Sequence, residues 1–255
     1  MVPVSYFEPI PDLREVNLED RSLDLQADLK FELGAGFLVD AFAASREAKV
    51  DLTGLPSNHM YISNDAASYF GMIRRYRPRT IIEIGSGHSA LLSERSCRAL
   101  QLNTQIVSVE PFPIPELRQL AAEKPNVRHV EALVEKLDQA TLDLIADLGE
   151  GDILFIDTSH VSVRGGDSNF IFCRILPLLK PGVVVHIHDI MLPYDYDRAL
   201  YYGTGRFYTE QYLLAAMLCN TDRFSPLLSV YKCTVEDQAS VLPDKKGAAF
   251  WMRRV

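Results

Sequence analysis

An α/β fold built on a doubly wound, mostly parallel sheet follows from three observations. From Thr80 onward, short apolar segments alternate with segments of helical periodicity. The apolar segments lack the polar alternation of a half-exposed sheet, so both of their faces are covered. The first of them ends at once in Gly85-Ser86-Gly87, a turn that carries the chain from strand into helix.

The elements justify themselves in order. Residues 1–20 carry Pro3, Pro9 and Pro11 among acids and read as an extended arm. Over residues 22–48, Leu25, Leu29, Leu33, Phe37 and Ala41 recur every four residues and predict a helix, weakened by Gly34 and Gly36. Residues 54–58 form a turn cluster. Asn64 or Asp65 then caps a helix with Ala66, Tyr69, Phe70, Ile73 and Tyr76 on one face, which Pro78 ends. Residues 80–84 are the first buried strand, followed by a helix to about Leu100. Strands are expected at 105–110, 127–130, 152–157 and 183–189, with helices marked by Leu117 and Leu120, by residues 134–147 and by residues 169–179 between them. A helix at 207–219 and strands near 226–231 and 247–253 close the chain. The division expected is an N-terminal arm and helical segment, residues 1–57, and one sheet domain, residues 58–255.

Composition agrees with one large core. The 255 residues are 47% hydrophobic, which excludes disorder as the main state. Against 26 Lys and Arg stand 34 Asp and Glu, a formal net charge of −8. The basic residues form only one short patch, at 74–79, so nucleic acid is not expected as a partner. Four scattered cysteines with no CxxC pair read as reduced thiols and argue against a zinc ribbon. No apolar leader occupies the first thirty residues, and no run approaches the roughly 18 residues of a membrane span, so a cytoplasmic protein without a membrane partner is expected.

The octet Glu83-Ile84-Gly85-Ser86-Gly87-His88-Ser89-Ala90 carries the most chemical information. Its glycines let a ligand approach the main chain where helix N–H groups point outward. Taken as GxGxxG/A it fits a dinucleotide site as well as other nucleotide cofactors, and Glu110, ending the next strand, suits ribose hydroxyls in either case. Glu83 tips the balance, because an acid beside a pyrophosphate would be awkward while a cationic sulfonium accepts it. Phe155-Ile156-Asp157-Thr158-Ser159-His160 and His186-Ile187-His188-Asp189 place further polar groups at the carboxyl ends of their strands, where such sheets bind ligands.

With these motifs, residues 58–255 resemble the class I S-adenosylmethionine-dependent methyltransferases, in a group with EIGSGHS, FIDxSH and HIHDI signatures. Glu210-Gln211-Tyr212-Leu213-Leu214 and Ala249-Phe250-Trp251-Met252-Arg253 also match that group. The resemblance implies a Rossmann-like seven-stranded sheet whose last strand is antiparallel, with S-adenosylmethionine as cofactor. It places Glu83, Gly85, Ser86 and Gly87 along the methionine part, Glu110 on the ribose, Ala132 and Leu133 beside the adenine, and Asp157 facing the amino group or the transferring methyl.

Asp157, His160 and His188 are the residues expected to carry catalysis. Methyl transfer from a sulfonium is an in-line displacement in which positioning supplies much of the rate. A hydroxyl acceptor also needs a base, and imidazole titrates in the right range. His186, two residues before His188, lies on the same strand face one pleat deeper and reads either as a substrate contact or as a paired core residue. Tyr194, Arg198, Arg206 and Tyr61 are expected to wall the acceptor pocket, since a run rich in tyrosine and arginine follows the fifth strand.

Asp157 and Asp189 match two ligand positions of the catechol-type, metal-dependent O-methyltransferases, but Ile190 stands where those enzymes carry an amide. A divalent ion is therefore left open and uncommitted. The function expected is methylation of a small-molecule acceptor at oxygen. The competing readings are an NAD(P)-dependent oxidoreductase using residues 85–90, a metal hydrolase built on His160, His186, His188 and Asp189, and a non-catalytic nucleotide-binding module. The arm has no core of its own. It is expected either to cover the sheet or to cross onto a second subunit, a homodimer being the commonest assembly.

Overall fold

Six strands run in one direction and β7 alone runs against them in one seven-stranded sheet of order β3-β2-β1-β4-β5-β7-β6. They are β1 Thr80–Ile84, β2 Gln105–Val109, β3 Val127–Val130, β4 Ile153–Ile156, β5 Val184–Ile187, β6 Phe224–Ser229 and β7 Phe250–Arg254. The computed structural model describes residues 29–52, 61, 63–197, 200, 203–237 and 247–255. Strand β7 inserts antiparallel between β5 and β6, as the resemblance implied. Pro226 sits in β6 beside a register shift between Pro226 and Leu228; this is the sheet edge, where a missing N–H is tolerated.

The α-helices used below are α1 Ala35–Glu47, α2 Asn64–Tyr76, α3 His88–Ala99, α4 Pro115–Glu123, α5 Gln139–Ala146, α6 Asp167–Phe170, α7 Glu210–Asn220 and α8 Val230–Glu236. Both sheet faces are covered, giving two apolar clusters: one holds Leu38, Phe70, Ile81, Phe155 and Trp251, the other Ile82, Leu154, Val185, Leu214 and Phe250. That double burial is why the strands show no alternation.

The helical segment of the arm packs within its own chain. Helix α1 lies on α2 so closely that a Cβ added to Gly71 would come within 2.7 Å of Phe37 Cζ. Among the described residues, the helix expected over 22–48 runs over Ala35–Glu47, after Gly34 as its N-terminal flank. Residues before it are held otherwise: Leu33 N donates to Leu227 O, and Phe31 packs edge-on against Phe250. Residues 1–28 and the turn cluster at 54–58 lie outside the described residues.

Three further boundaries differ from expectation, each for a local reason. The helix expected at 134–147 is a single 3₁₀ turn at Val134–Lys136 followed by α5, which Asp138 caps by accepting from Thr141 N at 2.9 Å. The helix expected at 169–179 is α6, a wide π turn at Ile171–Ile175 and a 3₁₀ turn at Leu176–Leu178, where Pro177 cannot donate to an α ladder. The strand expected to reach residue 231 stops at Ser229, whose side chain accepts from Lys232 N and opens α8.

Candidate active site

The order of strands locates the site. The chain winds outward from β1 through β2 to β3, then returns to place β4 on the other side of β1. The loops leaving β1 and β4 therefore diverge and leave a crevice at their carboxyl ends. A cleft of about 360 Å³ lies there, lined among others by Gly85, Glu110, Phe112, Ala132, Leu133 and Asp157. Gly85 has φ +74°, and a Cβ on it would stand 1.7 Å from the carbonyl oxygen of Asp157. Only glycine lets the two loops pass. Gly87 differs: a Cβ there would meet nothing nearer than Ile114 Cδ1 at 3.8 Å. The Glu110 carboxylate accepts from Ser86 N at 3.2 Å and Phe112 N at 2.7 Å, which turns the β2 loop into the cleft wall.

Next to this cleft, on the β4–β5 side, imidazoles and carboxylates gather. His160 Nε2 lies 3.2 Å from Asp157 Oδ1 and 3.4 Å from Asp189 Oδ2, while its Nδ1 meets Glu210 Oε2 at 3.0 Å. His188 Nδ1 lies 3.5 Å from Asp157 Oδ1 and 3.6 Å from Asp189 Oδ1, and its Nε2 is 3.5 Å from Asp65 Oδ2. Backbone geometry holds the arrangement: His160 and Asp189 both adopt positive φ, and His160 O accepts from Thr209 N and Glu210 N. Burial disfavours charge on His160, but hydrogen bonds to Asp157 and Glu210 and the negative charge of Asp189 outweigh it, and its pKa is pushed up to about 10. Burial likewise works against the Asp157 carboxylate, yet the His188 and His160 imidazoliums hold it well below the usual carboxylate range. His188 is raised in the same way, against burial, by Asp157, Asp65 and Asp189.

Comparison with known proteins fits this geometry. Residues 82–190, which run from within β1 to just past β5 and include Asp157, His160, His188 and Asp189, match the family model described as a methyltransferase domain. Over these residues the chain resembles a methyltransferase domain. An uncharacterized protein of Archaeoglobus fulgidus is 25% identical over 57% of this chain and 73% of its own length. Among solved structures, the methyltransferase PaMTH1 of Podospora anserina with bound SAH is 21% identical, covering 86% of this chain and 88% of that one with a TM-score of 0.48. The 1,6-didemethyltoxoflavin-N1-methyltransferase of Burkholderia thailandensis is 18% identical, covering 87% and 88%, with a TM-score of 0.44. The antiparallel β7 also departs from the 3-2-1-4-5-6 order of dinucleotide-binding sheets.

The residues expected at the site divide into three groups. Gly85, Glu110, Ala132, Leu133 and Asp157 line the cleft; Ser86 and Gly87 follow in the turn at its rim. Asp157, His160, His188 and Asp189 come together as one cluster. Glu83 belongs to neither. It is fully buried beneath the turn, accepting from Tyr69 Oη at 2.8 Å, Ser89 Oγ at 2.6 Å and Ser93 Oγ at 2.7 Å, so it ties α2 and α3 to β1 rather than lining the cleft. Burial raises its pKa, partly offset by those hydroxyls.

The expected substrate residues scatter. His186 is a core residue: its ring stacks on Phe155 at 4.0 Å and lies 4.7 Å from Trp251, and burial lowers its pKa well below the usual value. Tyr194 is buried, with its hydroxyl donating to Glu236 at 2.6 Å on α8. Tyr61 packs 5.2 Å from the His188 ring and donates to Asp65 O, making it a wall behind the cluster. Arg206 is exposed, with its guanidinium 5.9 Å above the Tyr208 ring, and that ring is 4.7 Å from His160. Arg198 lies outside the described residues.

Several participants were not singled out from the sequence. Asp65 reads as a cap, yet it accepts from Ala248 N and Ala249 N and faces His188. Glu210 reads as part of a motif without a role, yet it is fully buried against His160. Phe112 stands 82% exposed at the mouth of the cleft. Only the placement of an acid or aromatic at a helix start or strand end could have signalled them.

Proposed function

We propose that this methyltransferase moves the methyl group of S-adenosylmethionine to an oxygen of a small-molecule acceptor. The observation that carries this reading is the shared position of Asp157. One side of it lines the cofactor cleft, and the other touches His160 and His188. A sulfonium methyl lying beside Asp157 would thus face a group of imidazoles and carboxylates able to orient a hydroxyl and draw off its proton. Ribose hydroxyls fall to Glu110, and adenine to the apolar wall of Ala132 and Leu133 opposite Phe112. Tyr208 and Arg206 border the cluster from the loop before α7 and suit a planar or anionic acceptor.

The test is release of S-adenosylhomocysteine from S-adenosylmethionine across a panel of hydroxyl, carboxyl and amine acceptors. Turnover with a hydroxyl or carboxyl acceptor, lowered in His160→Ala and His188→Ala while S-adenosylhomocysteine still binds, is the expected result. Turnover confined to amines would refute the oxygen assignment. Full activity in both variants would return the histidines to packing.

A further inference from the structure

The cluster has the spacing of a ligand set. Asp157, His160 and His188 each offer one ligand atom, and these atoms all lie within 4.8 Å of one another. Two of the pairs are already 3.2 and 3.5 Å apart. Donor atoms at about 2.0–2.2 Å from a shared ion stand roughly 3–3.6 Å from each other at tetrahedral or octahedral angles, so little closure is needed.

The surroundings of the two rings are the second observation. Each imidazole turns one nitrogen to the cluster; the other nitrogen of His160 is hydrogen-bonded to buried Glu210 at 3.0 Å, while that of His188 stands 3.5 Å from buried Asp65 without a hydrogen bond. A carboxylate on the far nitrogen fixes ring and tautomer for metal ligation. Charge is the third. Four carboxylates, Asp65, Asp157, Asp189 and Glu210, surround the two rings. A dication held by neutral imidazoles carries the same charge as two imidazoliums, so the ion can replace their protons without altering the balance.

We propose that Asp157, His160 and His188 form a binding site for one divalent first-row transition metal. Two imidazoles select zinc, iron, cobalt or manganese over magnesium, which prefers an all-oxygen shell. Three protein ligands leave positions open for an acceptor oxygen, and Asp189 lies beside both rings to receive the proton of a metal-bound hydroxyl. This last role rests on the methyltransferase reading above; the ion site itself does not.

The test is titration of chelator-treated, full-length protein with cobalt(II), followed by its visible ligand-field absorption. One cobalt per chain, displaced by zinc and not by excess magnesium, is expected. Affinity should fall at least tenfold in His160→Ala and His188→Ala. It should fall about 10–100-fold in Glu210→Gln, which keeps the shape of the side chain. No cobalt signal, displacement by magnesium, or unchanged affinity in the histidine variants would overturn the proposal. If the histidine variants fail to fold, unchanged affinity in Glu210→Gln overturns it instead. Calorimetry with S-adenosylhomocysteine on the same samples separates the two readings. Cofactor binding without metal binding defeats only the ion site, and metal binding without cofactor binding defeats only the methyltransferase assignment.

Discussion

Replacing Glu83 distinguishes an anchor of the fold from a cofactor ligand. In Glu83→Ala, three hydroxyls lose their acceptor. Ser93 Oγ keeps a second bond to Ala90 O at 3.1 Å, which leaves Tyr69 and Ser89 without a partner in the core. At about 1–3 kcal/mol for each buried orphan, the loss is about 2–6 kcal/mol, a large part of a domain's usual margin of roughly 5–15 kcal/mol. Glu83→Gln should behave oppositely, since its amide oxygen accepts, its NH₂ donates to a hydroxyl, and no charge has to be buried.

Urea unfolding followed by fluorescence suits the assay, because the chain's single tryptophan, Trp251, is fully buried 5.8 Å from Tyr69. The raised pKa of Glu83 adds a pH signature. The folded protein retains a proton that the unfolded chain releases near the ordinary glutamate value. The stability this contributes is complete below that value and is lost as pH rises through the folded pKa. Glu83→Gln cannot show this loss, so its stability relative to wild type should increase with pH. A Glu83→Ala variant within about 1 kcal/mol of wild type would refute the anchor. So would a tenfold drop in S-adenosylhomocysteine affinity in Glu83→Gln at unchanged stability.

Further outcomes follow from the same structure. Gly85→Ala should not give folded protein, because its Cβ would fall on the Asp157 carbonyl, whereas Gly87→Ala should fold normally; circular dichroism of both decides, and a stable Gly85→Ala would contradict the loop geometry. Glu110→Ala should weaken S-adenosylhomocysteine binding by tenfold or more, about 1.4 kcal/mol or greater; unchanged affinity by calorimetry removes it from the ribose role. Phe112→Ala should reduce the same affinity by about 2–10-fold with no change in melting temperature, since the ring is exposed; a fall in stability would make it a packing residue instead. Asp152→Ala should destabilise by at least about 2 kcal/mol in chemical unfolding, because its carboxylate accepts from Arg79 N, Thr80 N and Gly149 N at the start of β1; an unchanged midpoint would contradict this.

The sheet was legible because burial on both faces leaves a pattern. Residues 80–84 read as a strand and are β1 to the residue, and Gly85, Glu110, Asp157 and His188 were placed at strand ends by that periodicity alone. Helices inside the core were harder to delimit, since Pro177 and Ser229 act through single hydrogen bonds that periodicity does not record. The cluster was half legible. Asp157, His160, His188 and Asp189 are close in sequence to two strand ends, while Asp65 and Glu210 reach it from α2 and α7, more than twenty residues from either strand end. Glu83 was read toward the ligand and His186 left between ligand and core because a polar residue inside a strand points to a ligand or to the core with the same spacing. Only the partners, three hydroxyls for one and a ring stack for the other, distinguish the two cases.

The most direct test of the central claim is calorimetric titration of the whole chain with S-adenosylhomocysteine and, separately, with NAD. Saturable binding of one S-adenosylhomocysteine per chain, weakened by Glu110→Ala and with no heat from NAD, is the result predicted. Tight binding of NAD without any response to S-adenosylhomocysteine would contradict the account.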